Sequence, residues 1–169
     1  MVKKLLFIVL MGCIPFLFGF QATKQHTLSK TETIQAVMNY PMDFVVDRCQ
    51  KEFGYSDQDM IILEKELKRF LILCITKPDP KQSVSMFSRD VDNLWHMFIL
   101  FTREYTDFGT KFAGRYLHHA PNIKKANDEN HKKGQKLRQF IIDYEDTFNE
   151  PIHNIWLMDS FIKNSENLI

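Results

Sequence analysis

The sequence predicts an all-α fold: a single compact domain of five to six helices behind an N-terminal apolar targeting segment. Three observations predict it. Apolar residues recur at the 3.6-residue helical period along most of the chain. A cap or a breaker stands at the ends of these stripes, and β-alternation of useful length is lacking. The composition agrees, since 15 Phe and 8 Met against 6 Gly and 6 Pro suit a helical domain with an aromatic core. A length of 169 residues is enough for one core and short for two. With 44% apolar and 25% charged residues, disorder, collagen-like repeats and a multispanning membrane protein are excluded. Lys and Arg total 22 against 21 Asp and Glu, a net charge of +1 that gives no reason to expect nucleic acid as partner.

The first element is the targeting segment. Lys3 and Lys4 precede Leu5 to Phe20, which is uncharged and mostly apolar, the order of a secretory signal. That run would make a helix of roughly 24 Å, shorter than a ~30 Å hydrocarbon core requires. Around Gly19-Phe20-Gln21-Ala22-Thr23 no clean A-x-A-like pair of small residues marks a cleavage point. Leu10-Met11-Gly12-Cys13 looks like a lipoprotein box that would lipidate Cys13, although Ile14 to Phe20 stays apolar where a lipoprotein usually turns polar. Residues 1–22 are therefore expected to be a signal peptide or an N-terminal membrane anchor, which exports the chain or holds it to a membrane. Cleavage, retention and lipidation at Cys13 stay as alternatives. A polar linker follows over residues 23–29, and residues 30–169 form the helical domain.

Within that domain, Ser29 and Glu32 read as a capping box opening a helix from Thr31 to Asn39, stopped before Pro41. Pro41 is suited to the first position of the next helix, with Phe44, Val45, Arg48, Cys49 and Phe53 at helical spacing and Gly54 at its end. Ser56 caps a longer helix to about Thr76, striped with Met60, Leu63, Leu67, Phe70, Leu71 and Cys74. Charges at Glu64, Lys65, Glu66, Lys68 and Arg69 make it an amphipathic core helix rather than a membrane span. Pro78 and Pro80 begin a loop to Phe87. Ser88 caps the next helix, where Asp90 and Asp92 occupy the first turn that the helix dipole favours. Thr102 starts a further turn or helix bearing Tyr105, Phe108 and Phe112, with Gly114 just past it. Arg115 to Pro121 is a connector, and Asn122 to Gln135 a loop or frayed helix start. The last helix is expected from about Lys136 to Asn149, with Trp156, Leu157 and Phe161 packing back after Pro151.

Chemistry concentrates between Asp90 and Pro121. Asp92 and His96 are four residues apart, so they share a helix face and can touch. An imidazole held by a carboxylate has a fixed tautomer, which suits a metal ligand or a general base. His118 and His119 follow in a connector that can fold back on that face once Gly114 reverses the chain. His96 and at least one of His118 and His119 are thus expected to bring ring nitrogens within about 5 Å, beside Asp92. Three imidazoles and a carboxylate would hold a divalent metal such as zinc or iron. The plainer reading has Asp92 complementing the helix dipole and the imidazoles bonded within the fold.

Other features are read as structure. The series Trp95, Phe98, Phe101, Tyr105, Phe108, Phe112 and Tyr116 is a core stripe. Lys124, Lys125, Lys132, Lys133, Lys136 and Arg138 form a solvated basic face, with anionic lipid headgroups as the alternative contact. Cys13, Cys49 and Cys74 include no CxxC pair, which excludes a zinc ribbon; Cys49 and Cys74 read as buried thiols that would pair only in an exported chain. GxSxG, HExxH, P-loop and GxGxxG motifs are all lacking, so serine hydrolysis, zincin chemistry and nucleotide binding have no support.

The run Val91-Asp92-x-x-Trp95-His96-x-x-Ile99-Leu100-x-Thr102-x-x-Tyr105-x-x-Phe108, followed by Gly114-Arg115-x-x-His118-His119-x-Pro121, resembles the glycine-rich domain-containing protein-like family. The likeness extends upstream to Glu66-x-x-Arg69-Phe70-Leu71 and downstream to Tyr144-x-x-x-Phe148 and Trp156. Two departures stand out. The chain has no glycine-rich tract, and Gly109 stands where bacterial relatives often carry Cys. Any ligand or nucleophile role of that Cys is lost here. The resemblance implies a helical fold and gives weight to His96, His118 and His119, but it names no reaction. The expected function is a membrane-targeted or exported binding or structural module with a histidine-based metal site. The alternative is a metal-dependent hydrolase or oxygenase using the same side chains.

Overall fold

In the computed structural model the described residues are 28–77, 79, 83–119 and 129–157, and they form an all-helical fold. The expected targeting segment with Cys13, most of the expected linker, Pro121, Lys124, Lys125 and Phe161 lie outside the described residues. Ser29 and Glu32 exchange bonds as a capping box and open α1 (Lys30–Met38). α2 (Asp43–Phe53) starts beyond Pro41, with Met42 at its N-cap. The proline therefore breaks the chain before the helix instead of opening it. Gly54 closes α2 at φ 73°, a left-handed conformation that favours glycine.

A second capping box, Ser56 with Asp59, opens α3 (Asp57–Thr76). Ser88 accepts the Val91 N–H at the start of α4 (Arg89–Leu100). Phe101 then serves as both the end of α4 and the start of α5 (Thr102–Ala113), so two helices meet at one residue. α6 spans Glu129–Phe148 and begins well before Lys136. Its first turns are polar, and a core stripe marks only the part of a helix that packs. A single 3-10 turn, Asn154–Trp156, returns to the core.

α3 lies at the centre and touches α1, α2, α4, α5 and α6. Leu67, Phe70, Leu71 and Ile72 are fully buried on it, facing Val37, Val45, Val91, Leu94 and Phe98 from its neighbours. Each such side chain contributes about 1.5–3 kcal/mol relative to exposure, so this central helix organises the fold. Phe98, Tyr105, Phe108 and Phe112 are buried as the stripe requires, while Tyr116 is exposed.

One polar network crosses this core. Glu66 is 1% exposed, and its carboxylate accepts the Tyr144 hydroxyl at 2.9 Å and the Trp156 indole N–H at 2.7 Å. Arg69 donates to the Tyr144 oxygen and, at 2.6 Å, to Glu150. Its guanidinium also lies 4.9 Å from the Phe148 ring centre. Buried charge is tolerated only when paired and hydrogen-bonded, and this set meets that condition. Among the described residues, no buried side-chain polar atom lacks a partner. Cys49 and Cys74 are both free thiols. No helix of the described residues is long and apolar enough to cross a membrane.

Candidate metal centre

The site is assembled by α4 and the connector that follows α5. Asp92 and His96 stand one turn apart on α4, with His96 Nδ1 3.8 Å from Asp92 Oδ2. Gly114 ends α5 in the left-handed region, φ 63°, and turns the chain back. The connector then passes against α5 at Gly109. A Cβ there would lie 2.7 Å from the Arg115 carbonyl oxygen, so no larger residue fits without moving backbone. Gly109 is thus a close crossing in this chain.

The side chains of Tyr105 and Arg115 help hold the returning connector. Tyr105 donates its hydroxyl to the Leu117 carbonyl at 2.6 Å and accepts the Trp95 indole N–H at 3.0 Å. Arg115 donates to the Cys74 carbonyl at 3.3 Å near the end of α3, where a cation meets the negative end of the helix dipole. With Leu117 pinned, His119 reaches α4. Its Nε2 lies 2.9 Å from Asp92 Oδ1, and its ring packs edge-on against Trp95 with centroids 4.3 Å apart.

The His96 and His119 rings are 4.5 Å apart. One donor atom from each of Asp92, His96 and His119 lies within 4.8 Å of the other two. His118 does not join them. It is exposed and packs against Tyr116 at 5.1 Å, because successive side chains of an extended connector point to opposite sides. Asp90 is also elsewhere, accepting the Tyr55 hydroxyl at 2.8 Å.

Two imidazole nitrogens and a carboxylate oxygen are the donor set of a borderline divalent ion such as zinc. Ligand atoms of a tetrahedral zinc sit roughly 3.3 Å apart, given bond lengths of ~2.0–2.1 Å. Asp92 meets His119 through Oδ1 at 2.9 Å and His96 through Oδ2 at 3.8 Å, separations on either side of that value. His96 remains half exposed, while His119 is largely covered. The cluster is therefore open to solvent on one side and walled by Trp95 on another.

In the sequence Trp95 and Tyr105 read as core stripe and Arg115 as part of the connector, with nothing to show that they aim it. Their bonds span 10 to 41 residues, and no local pattern encodes such partners.

Fold and site together define an all-α module with a surface Asp–His–His cluster. A family model described as UCP032817-like matches residues 29–152, and the chain belongs to that family. The match runs from the cap of α1 to the residues beyond α6 and includes the whole cluster. The family is uncharacterised; the match does not carry the glycine-rich domain-containing name, and nothing in it conflicts with that likeness. No curated protein and no solved structure matches the chain.

Proposed function

We propose that the chain is a metal-binding helical module, holding one divalent ion between Asp92, His96 and His119 and delivered to a membrane or exported by its N-terminal segment. The observation that carries this reading is the convergence of three donor atoms within 4.8 Å from two separate chain segments. The Tyr105, Gly109 and Arg115 contacts support it, because they fix the approach of His119 before any ion arrives. Preorganised donors lose little conformational entropy on binding. The likeness to the glycine-rich domain-containing proteins belongs to the same reading, since its W-H and H-H-x-P elements contribute both imidazoles.

A second reading has one supporting observation. Three protein donors leave a tetrahedral ion with an open position for water or substrate, and His96 borders solvent there. That is the coordination a metal-dependent hydrolase or oxygenase needs. Competition titration of the purified full chain against a chromogenic zinc chelator tests the first reading. One equivalent bound by the full chain and lost in His119→Ala is expected. Binding that is absent, or unchanged by the substitution, contradicts it.

A further inference from the structure

A cleft of about 410 Å³ lies away from the metal cluster, between the start of α1 and the C-terminal ends of α3 and α5. Its floor includes Ile75 and Phe112, and Thr33 and Thr110 add hydroxyls to the walls. Lys30 and Lys111 stand at it, and among the described residues that line it none is acidic. Among the described residues Lys30 donates to the Thr147 hydroxyl at 3.4 Å, and Lys111 lies over the Phe112 ring at 5.0 Å. Among the described residues neither ammonium has a carboxylate within 4 Å.

Two helix C-termini at a cleft would ordinarily repel an anion. Here several of their carbonyls are already occupied. Arg115 donates to the Cys74 oxygen, the Gly114 N–H donates to the Thr110 oxygen, and the Arg115 N–H to the Gly109 oxygen. The guanidinium adds a third positive charge near the end of α3. Cationic side chains therefore outweigh the helix dipoles at this cleft. An apolar floor with the Lys111 ammonium over Phe112 and Lys30 on the rim matches a ligand that is anionic at one end and apolar beside it.

The place of the cleft in the chain identifies the source of such a ligand. Leu28 lines it, directly after the polar stretch Gln21 to Thr27 that separates the fold from the apolar segment. Seven residues span at most roughly 25 Å when fully extended. We propose that this cleft docks the headgroup of an anionic phospholipid, turning the Lys30–Lys111 face toward the membrane that the N-terminal segment engages. The proposal rests on the membrane reading of that segment and is independent of the metal reading. Docking at this face leaves the fold fixed in orientation instead of swinging on a tether.

Lysine acylation read by mass spectrometry tests it on the full chain with chelator present. The chain is mixed with phosphatidylcholine vesicles, with vesicles containing phosphatidylglycerol, or with soluble glycerol phosphate, and flotation is recorded in parallel. Expected is at least a fivefold slower labelling of Lys30 and Lys111 with phosphatidylglycerol, reversed by high salt, and no change at the exposed Lys51. Lys30→Gln should abolish the protection of Lys111. Equal labelling in both vesicle types overturns the proposal, as does equal protection by glycerol phosphate, which would identify a site for free phosphate. A chain that fails to float with phosphatidylcholine contradicts the membrane reading of the N-terminus; Lys30 and Lys111 protection still reports on the cleft itself.

Discussion

At Gly109 the connector after α5 passes so close that even a methyl group would meet the Arg115 carbonyl at 2.7 Å. Gly109→Ala should therefore destabilise the chain by about 1–3 kcal/mol, the usual cost of forced overpacking. The same shift of backbone would carry His119 away from Asp92. A urea melt measures the first effect and zinc affinity the second, and both are expected to fall together. Asp92 faces two imidazoles, at 2.9 Å and 3.8 Å. Asp92→Asn keeps its shape and removes the charge that a bound cation would use. Zinc affinity should drop on the order of 10–100-fold, at least what loss of an outer partner of a metal site costs. Titration against a chelator reads this, while the melting curve without metal should move little.

Helices carry most of what could be read in advance. Ser29, Ser56 and Ser88 each cap the helix they were expected to cap, because a cap is a local bond between a side chain and the next turn. Ser56→Ala should cost about 1 kcal/mol, visible as a lower urea midpoint. The boundaries that moved are those without local chemistry. α2 starts beyond Pro41, and α6 begins at Glu129 in a polar stretch whose apolar period is too weak to announce it. The tie between α3 and the C-terminal segment was legible only as isolated residues: Glu66, Arg69, Tyr144, Phe148 and Trp156 stood in the family pattern with no stated contact. They form one buried network because residues 75 to 90 positions apart are brought together by packing, which no periodicity reports. Glu66→Leu would leave Tyr144 and Trp156 without their shared acceptor and Arg69 without the carboxylate 3.7 Å from it. A loss of about 3–5 kcal/mol is expected from such a broken buried pair. Denaturant melts of the full chain should show it, and Glu66→Gln, which keeps an acceptor, should lose less.

Across the whole molecule, burial sets the response to alkali. Burial pushes the Cys49 thiol up to about 11, the Tyr55 hydroxyl to about 12 and the Cys74 thiol to about 12. Tyr105 and Tyr144 shift upward as well, again chiefly through burial. The folded chain thus holds protons that the unfolded chain releases above roughly pH 9–10. The stability these groups contribute is complete below that range and is lost as pH rises through about 11 to 12. Urea midpoints should be flat from pH 7 to 8.5 and fall steeply above pH 10; a midpoint that rises with alkali would contradict the burial of these groups.

The fold and the cluster also differ in how they were encoded. Asp92 and His96 were legible as a pair because one helical turn sets their spacing. His119 was legible only as one of two neighbours, since choosing it over His118 depends on how Tyr105 and Gly109 seat the connector. The central claim is that these three side chains hold one ion. X-ray absorption spectroscopy of the full chain loaded with one equivalent of zinc tests it most directly. A first shell of nitrogen and oxygen at ~2.0–2.1 Å with scattering from two imidazoles is expected. A shell with sulfur at ~2.3 Å, or with no imidazole scattering, would contradict it.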